Sequence, residues 1–171
     1  MLTSLRKSGT SKLSTYFKDV RRILNGDKTA IITIHSGLND RNRTQGSIGP
    51  IGGFPSNSPE GYADNLMGLV HLLSQAWELA GGDSHSLHFA FMPSHALSEP
   101  DDAQLSKYRA AARDLAEKLP NASMIDLSIL MPYKEMRANK YYDKGRPSDA
   151  HLQRTGYEAI ASALATQLQT Q

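Results

Sequence analysis

The hydrophobic residues of this chain follow two different spacings. The run from Ala30 to Ile34 is continuous and β-branched and stands between turn residues, which predicts a central parallel strand buried on both faces. Apolar runs at Leu87 to Met92 and Met124 to Leu127 predict two further strands, and another short run opens the chain at Met1 to Leu5. Each run is short enough to be a strand.

Helical spacing recurs in four other segments. Their predicted buried stripes are Leu13, Phe17, Val20 and Leu24; Tyr62, Leu66, Leu69, Leu73 and Trp77; Leu105, Tyr108, Ala112, Leu115 and Leu119; and Tyr157, Ile160, Ala161, Leu164 and Leu168. Strands separated by helices indicate an α/β fold, here a three-layer α/β/α sandwich with a mainly parallel sheet. Residues 1–171 contain no internal repeat and are interpreted as a single domain, in which five glycines and three prolines predict an irregular loop over residues 41–61.

Composition excludes several classes of protein. The chain has 171 residues, 39% of them hydrophobic, which is enough for one buried core. No apolar run approaches the roughly 20 residues of a membrane-spanning helix, so no membrane association is expected. The formal charge of +2 is small and the basic residues are dispersed, so nucleic acid is not an expected partner. The absence of cysteine excludes disulfides and thiolate chemistry, and the start of the sequence lacks the apolar core of a signal peptide, which leaves the compartment open.

Polar residues capable of acyl transfer follow the predicted strands. In an open parallel sheet, ligands bind beyond the carboxyl ends of the strands. Residues 8–11, 35–40 and 93–95 each follow an apolar run, and residues 148–151 precede the last helix. Together these segments supply hydroxyls, backbone N–H groups, a carboxylate and imidazoles, which are the groups that catalyse acyl transfer.

Three of these blocks resemble the SGNH (GDSL-like) hydrolases. Gly37-Leu38-Asn39-Asp40 after a hydrophobic strand resembles the family's GxND block, and Ser8-Gly9-Thr10 resembles the glycine block before it. His151-Leu152, followed by Gly156-Tyr157-Glu158-Ala159-Ile160-Ala161, resembles the final block, in which a catalytic histidine precedes a Gly-Tyr pair and a helix. The blocks occur in the family's order.

The resemblance implies a serine esterase acting on a small-molecule or carbohydrate ester, with O-acetyl groups on carbohydrate as one candidate. His151 would take a proton from the serine and return it to the leaving group. Gly37 and Asn39 belong to a block that would bind the oxyanion and the substrate. The Asn39 side chain and the Gly9 N–H of the earlier block would hold the oxyanion. Asp149 would orient the imidazole. No metal or cofactor is implied.

Two departures from the family pattern affect this expectation. The family places aspartate three residues before the histidine, where this sequence has Ser148, whereas Asp149 stands two before. The GDS nucleophile block, expected upstream of Met1 on a central strand, is not in this sequence. We therefore expect a partner chain or an upstream segment to supply that strand, unless the remaining strands rearrange.

A Gly-Asp-Ser triplet does occur at residues 82–84, but it precedes a predicted strand. A strand rises about 3.3 Å per residue, so the six residues from Leu87 to Met92 would hold Ser84 about 20 Å from the carboxyl edge. The triplet therefore predicts a helix-to-strand turn.

Each motif also has a structural interpretation. Residues 37–40 are also typical of a strand-ending turn, and His151 is typical of a helix start with Ser148 or Asp149 as its N-cap. The histidines at 85, 88 and 95 lack the spacing of a metal site. The basic and aromatic residues of 133–146 form either a solvated face or a surface for an anionic or sugar ligand; they are Tyr133, Lys134, Arg137, Lys140, Tyr141, Tyr142, Lys144 and Arg146. A noncatalytic recognition or assembly module on a hydrolase-like scaffold is the alternative function.

Overall fold

A computed structural model describes residues 30–36, 58–96, 99–142 and 151–169 of the chain. Three parallel strands form one sheet in the order β1-β2-β3; they are β1 (Ala30–Ser36), β2 (Leu87–Pro93) and β3 (Ala122–Met124). Ala30 lies opposite Leu87, and Phe89 lies opposite Ala122. The predicted α/β class and the parallel sheet are confirmed.

Helices follow each strand in the described ranges. They are α1 (Pro59–Leu79), α2 (Glu99–Lys118), α3 (Leu127–Leu130), α4 (Tyr133–Ala138) and α5 (Arg154–Gln169), with a 3₁₀ turn at Ser84–Ser86. The three long helices confirm three of the four predicted helical segments, although Tyr157 and Ala161 of the last predicted stripe are exposed. None of these helices is long and apolar enough to cross a membrane. The predicted strand at 1–5 and helix at 13–24 lie outside the described residues.

The start of α1 is earlier than predicted. Ser58 caps the helix, because its Oγ accepts a hydrogen bond from the Gly61 N–H at 3.0 Å. Pro59 occupies the first turn, where its missing N–H costs nothing. Residues 59–61 therefore belong to the helix and not to the predicted loop, whose other residues up to 57 lie outside the described ranges.

Hydrophobic clusters pack on both faces of β2. Leu87, Phe89 and Phe91 are 0% exposed and contact α1 and α2. Ala90 and Met92 alternate with them and pack instead with the residues after β3 and with α5. This places β2 at the centre of the described sheet.

The prediction that Ala30 to Ile34 is buried on both faces is wrong. Ile34 is buried, but Ile31, on the other face of the strand, is 51% exposed. Within the described residues, β1 pairs with β2 alone and stands at one end of the sheet. A continuous apolar run indicates a strand but does not state its position in the strand order.

The third strand also ends earlier than its apolar run. Residues Met124 to Leu127 predict a strand, whereas β3 ends at Met124 and α3 begins at Leu127. Asp126 causes the change, because its Oδ1 accepts a hydrogen bond from the Ser128 N–H at 3.0 Å and caps α3. Ile125 and Leu127 remain buried, so the hydrophobic pattern continues although the backbone conformation changes.

Candidate functional site

The carboxyl ends of β1 and β2 are fixed side by side. The Ser94 N–H donates a hydrogen bond to the Ser36 carbonyl at 2.8 Å, and the Ser94 hydroxyl donates to the same oxygen at 3.1 Å. The Ser36 hydroxyl donates to the Tyr62 Oη of α1 at 3.2 Å. The edge predicted to bind ligand is therefore an ordered arrangement of short polar side chains.

Two imidazole rings lie together at this edge. His35 and His95 have ring centroids 5.9 Å apart, and His95 is buried. Part of the His35 side chain is exposed to solvent, but neighbouring atoms still bury part of the ring. This burial lowers the pKa of His35 below the ordinary 6.5. The folded state thus favours the neutral form of His35. The stability that neutral His35 contributes is complete above pH 6.5 and is lost as the pH falls below that value.

Tyr142 is the buried side chain that joins the loops of this edge. It is 2% exposed, and its hydroxyl donates a hydrogen bond to the Ala96 carbonyl, just beyond β2, at 2.6 Å. Its ring centroid lies 6.1 Å from that of His95. The sequence pattern predicted that Tyr142 lies on a solvated or ligand-binding face, and this prediction is wrong because the side chain is buried. Linear spacing does not distinguish Tyr142 from its neighbour Tyr141.

The segment that carries His151 is attached to this tyrosine. Leu152 forms an antiparallel bridge with Tyr142. The Gln153 N–H donates to the Tyr141 carbonyl at 2.6 Å, and the Gln153 side-chain amide donates to the Tyr142 carbonyl at 2.8 Å. His151 itself is exposed. Through Tyr142, the His151 segment is therefore joined to the loop at the carboxyl end of β2.

An ion-pair network that sequence analysis missed connects α2 to the loop after β3. Arg109 is 7% exposed and lies 2.8 Å from Asp102 Oδ1 and 3.8 Å from Asp126 Oδ1. Arg113 pairs with the other oxygen of Asp126 at 3.1 Å. The four-residue spacing of the two arginines was the available signal, since it places both on one face of α2. Asp102 lies on α2 itself, whereas the shared partner Asp126 becomes apparent only when α2 packs beside β3.

The structure describes one of the predicted site residues, His151. Gly9, Gly37, Asn39 and Asp149 lie outside the described residues, so their gathering around His151 stays a prediction. In the described part of the chain, no three histidine, aspartate or glutamate side chains are grouped as metal ligands.

The Gly-Asp-Ser triplet at residues 82–84 forms a helix-to-strand turn, as predicted. It lies at the amino end of β2, and Asp83 caps the 3₁₀ turn by accepting a hydrogen bond from the His85 N–H at 2.9 Å. The Trp77 indole N–H donates to the Asp83 carbonyl at 2.8 Å. The residues of this triplet thus have structural roles at the edge opposite the candidate site.

Replacing Tyr142 with phenylalanine should lower the free energy of unfolding by about 1–2 kcal/mol at pH 7, because the buried Ala96 carbonyl loses its donor. Burial raises the pKa of Tyr142 to about 12, with Tyr133 adding to the increase and Arg137 opposing it. The stability that neutral Tyr142 contributes is complete below pH 10 and is lost as the pH rises through about 12.

Urea unfolding between neutral and alkaline pH would measure this effect. The unmodified protein should lose stability above pH 10 more steeply than Tyr142→Phe does. Tyr141→Phe, at the half-buried neighbouring position, is the matched control and should keep the steep alkaline loss. Identical pH profiles for the unmodified protein and Tyr142→Phe would contradict the assignment.

Comparisons with protein-family models, curated proteins and solved structures gave no significant match to this chain, so its functional interpretation depends on its own residues and their geometry.

Proposed function

We propose that this chain is an SGNH-like serine esterase domain, a three-layer α/β/α sandwich with its catalytic site at the carboxyl edge of a mainly parallel sheet. The parallel order β1-β2-β3 supports this proposal. The two hydrophobic clusters support it as well, because one packs with α1 and α2 and the other with α5 on the opposite face of β2.

The position of the His151 segment is the observation that carries the proposal. Leu152 pairs with Tyr142, and Tyr142 donates its hydrogen bond to the Ala96 carbonyl beyond β2. In sequence, His151 and Ala96 are far apart, yet these contacts bring their segments to the same edge. Hydrolysis of an ester bound beyond the strand ends requires a general base at that edge.

In the proposed reaction, the imidazole of His151 takes the proton of a serine hydroxyl as the serine oxygen attacks the ester carbonyl. The Gly9 N–H and the Asn39 amide, which follows Gly37 in the GxND-like block, donate to the oxyanion. Such a donor typically contributes about 100- to 1000-fold in rate. The imidazolium, oriented by Asp149, returns the proton to the departing alcohol, and water then hydrolyses the acyl-serine by the same route. No metal or cofactor takes part.

The nucleophilic serine is proposed to come from outside this chain, on a strand that pairs with the outer side of β1. One observation supports this position. In the described sheet β1 has a neighbour on one side, which is β2, so its other side can accept a further strand.

A fluorophosphonate probe tests the proposal on the protein isolated together with the polypeptides that accompany it. We expect a stoichiometric serine adduct and hydrolysis of p-nitrophenyl acetate. His151→Ala should lower that rate by about 1000-fold or more. His85→Ala is the matched control, because His85 is exposed at the opposite, amino end of β2, and its rate should be unchanged. Equal rates for His151→Ala and the unmodified protein would exclude catalysis at this site.

A noncatalytic recognition or assembly module is the second candidate. The observation in its favour is that the one Gly-Asp-Ser of the sequence, residues 82–84, lies at the amino end of β2 and not at the candidate site. A folded protein that forms no serine adduct on any accompanying polypeptide would support this function over the esterase.

A further inference from the structure

A cavity of about 310 Å³ opens beside the loop that follows β2. Its wall includes Ala96 of that loop, Asp102 of α2, Ser128 of α3 and residues 131–134. We propose that this cavity binds an uncharged carbohydrate of one or two rings. The inference goes beyond the esterase proposal, because binding here requires neither a serine nucleophile nor His151.

The apolar part of the wall suits the C–H face of a sugar ring. Met131, Pro132 and Ala96 contribute aliphatic surface, and Tyr133 contributes an aromatic ring. That ring is held in place, since the Tyr133 Oη accepts a hydrogen bond from Arg137 Nη1 at 2.9 Å and its centroid lies 6.5 Å from that of Tyr142. A fixed aromatic face loses little conformational entropy when a ligand stacks on it.

The polar part of the wall combines acceptors with a donor. The Asp102 carboxylate is fixed by Arg109 at 2.8 Å, while 44% of its side chain stays exposed. The Ser128 hydroxyl donates to Asp126 Oδ1 at 2.6 Å, so its oxygen retains lone pairs for a ligand hydroxyl. Lys134 supplies ammonium N–H groups. Sugar hydroxyls, which both donate and accept, match such a mixed set.

Charge and size restrict the ligand further. The charged groups of the wall already have partners, because Asp102 pairs with Arg109 and Lys134 also interacts within the protein. Neither group is therefore an unpaired charge that would select an ionic ligand. A volume of about 310 Å³ is at the lower end of the range for small-molecule sites, which is roughly 300–1,000 Å³. Together these properties favour a small neutral polyol over a nucleotide or a peptide.

Titration followed by NMR of the backbone amides tests this inference with methyl glucoside, methyl galactoside and N-acetylglucosamine as probes. At least one sugar should shift the amides of Ser128, Tyr133 and Lys134 saturably, whereas acetate and inorganic phosphate should not. Tyr133→Ala should weaken binding by about tenfold. Glu135→Gln, on the exposed side of the same short helix, is the matched control and should bind normally.

Two further variants make the test independent of folding and of catalysis. Lys134→Gln, at an exposed position, should weaken sugar binding by about threefold while its thermal unfolding is unchanged. His151→Ala should bind sugar as the unmodified protein does, which separates this inference from the esterase proposal. Absence of saturable shifts with all three sugars, equal affinity of Tyr133→Ala, or preferential binding of phosphate would each overturn it.

Discussion

Gly82→Ala should lower the free energy of unfolding by about 3 kcal/mol. A Cβ added at Gly82 would overlap the Trp77 indole nitrogen, far inside van der Waals contact. The indole cannot easily move away, because Trp77 is 1% exposed and donates its N–H to the Asp83 carbonyl at 2.8 Å. Overpacking of such a site forces side chains or backbone out of position.

The neighbouring Gly81→Ala is the matched control. Gly81 has a φ of +93°, and an added Cβ would meet no atom within 4 Å. Its cost should therefore be backbone strain of about 1 kcal/mol. Urea unfolding followed by the fluorescence of Trp77, the one tryptophan of the sequence, would measure both variants. An effect of Gly82→Ala no larger than that of Gly81→Ala would contradict the steric explanation.

Gly156→Ala is expected to destabilise the protein by about 2 kcal/mol, although alanine normally stabilises a helix relative to glycine by about 1 kcal/mol. The sign is reversed because Gly156, in the first turn of α5, is buried against the Tyr141 backbone. An added Cβ would lie 2.7 Å from the Tyr141 carbonyl oxygen and 3.1 Å from the Leu152 Cβ. A backbone carbonyl cannot rotate aside as a flexible side chain can.

Thr155→Ala separates helix propensity from packing in this test. Thr155 is exposed in the same turn of α5, so its replacement should change stability by less than about 0.5 kcal/mol. Chemical unfolding gives both values. A stabilising effect of Gly156→Ala would show that helix propensity outweighs the contact with Tyr141.

Gly156 also belongs to the block that resembles the final block of the SGNH hydrolases, and its close packing gives a physical reason for a glycine at this position. Gly156 permits α5 to begin directly against Tyr141, which keeps Leu152 paired with Tyr142. In the esterase proposal, displacement of this turn by Gly156→Ala moves His151 away from the serine. Esterase activity should therefore fall in Gly156→Ala and remain unchanged in Thr155→Ala.

Local patterns in the sequence determined the class of fold and most of its elements. The helical stripe from Tyr62 to Trp77 is buried in α1 as predicted, since a spacing of three and four residues already specifies one helix face. The runs at 30–34 and 87–92 form strands, and residues 82–84 form a turn, because the local residue pattern also favours these conformations. The His151 segment was also selected from sequence, through its resemblance to a catalytic block.

Only the tertiary structure decided which strand is central in the described sheet and which polar residues lie at the candidate site. Strand order depends on pairing between distant segments, so the apolar run of β1 could not reveal that its Ile31 would be exposed. The burial of Tyr142 could not be predicted from the sequence either, because its side chain packs against a distant segment and donates a hydrogen bond to Ala96, 46 residues earlier in the chain. The spacing of hydrophobic residues predicts the local backbone conformation of a segment. Contacts between distant segments form only when the helices pack on the sheet.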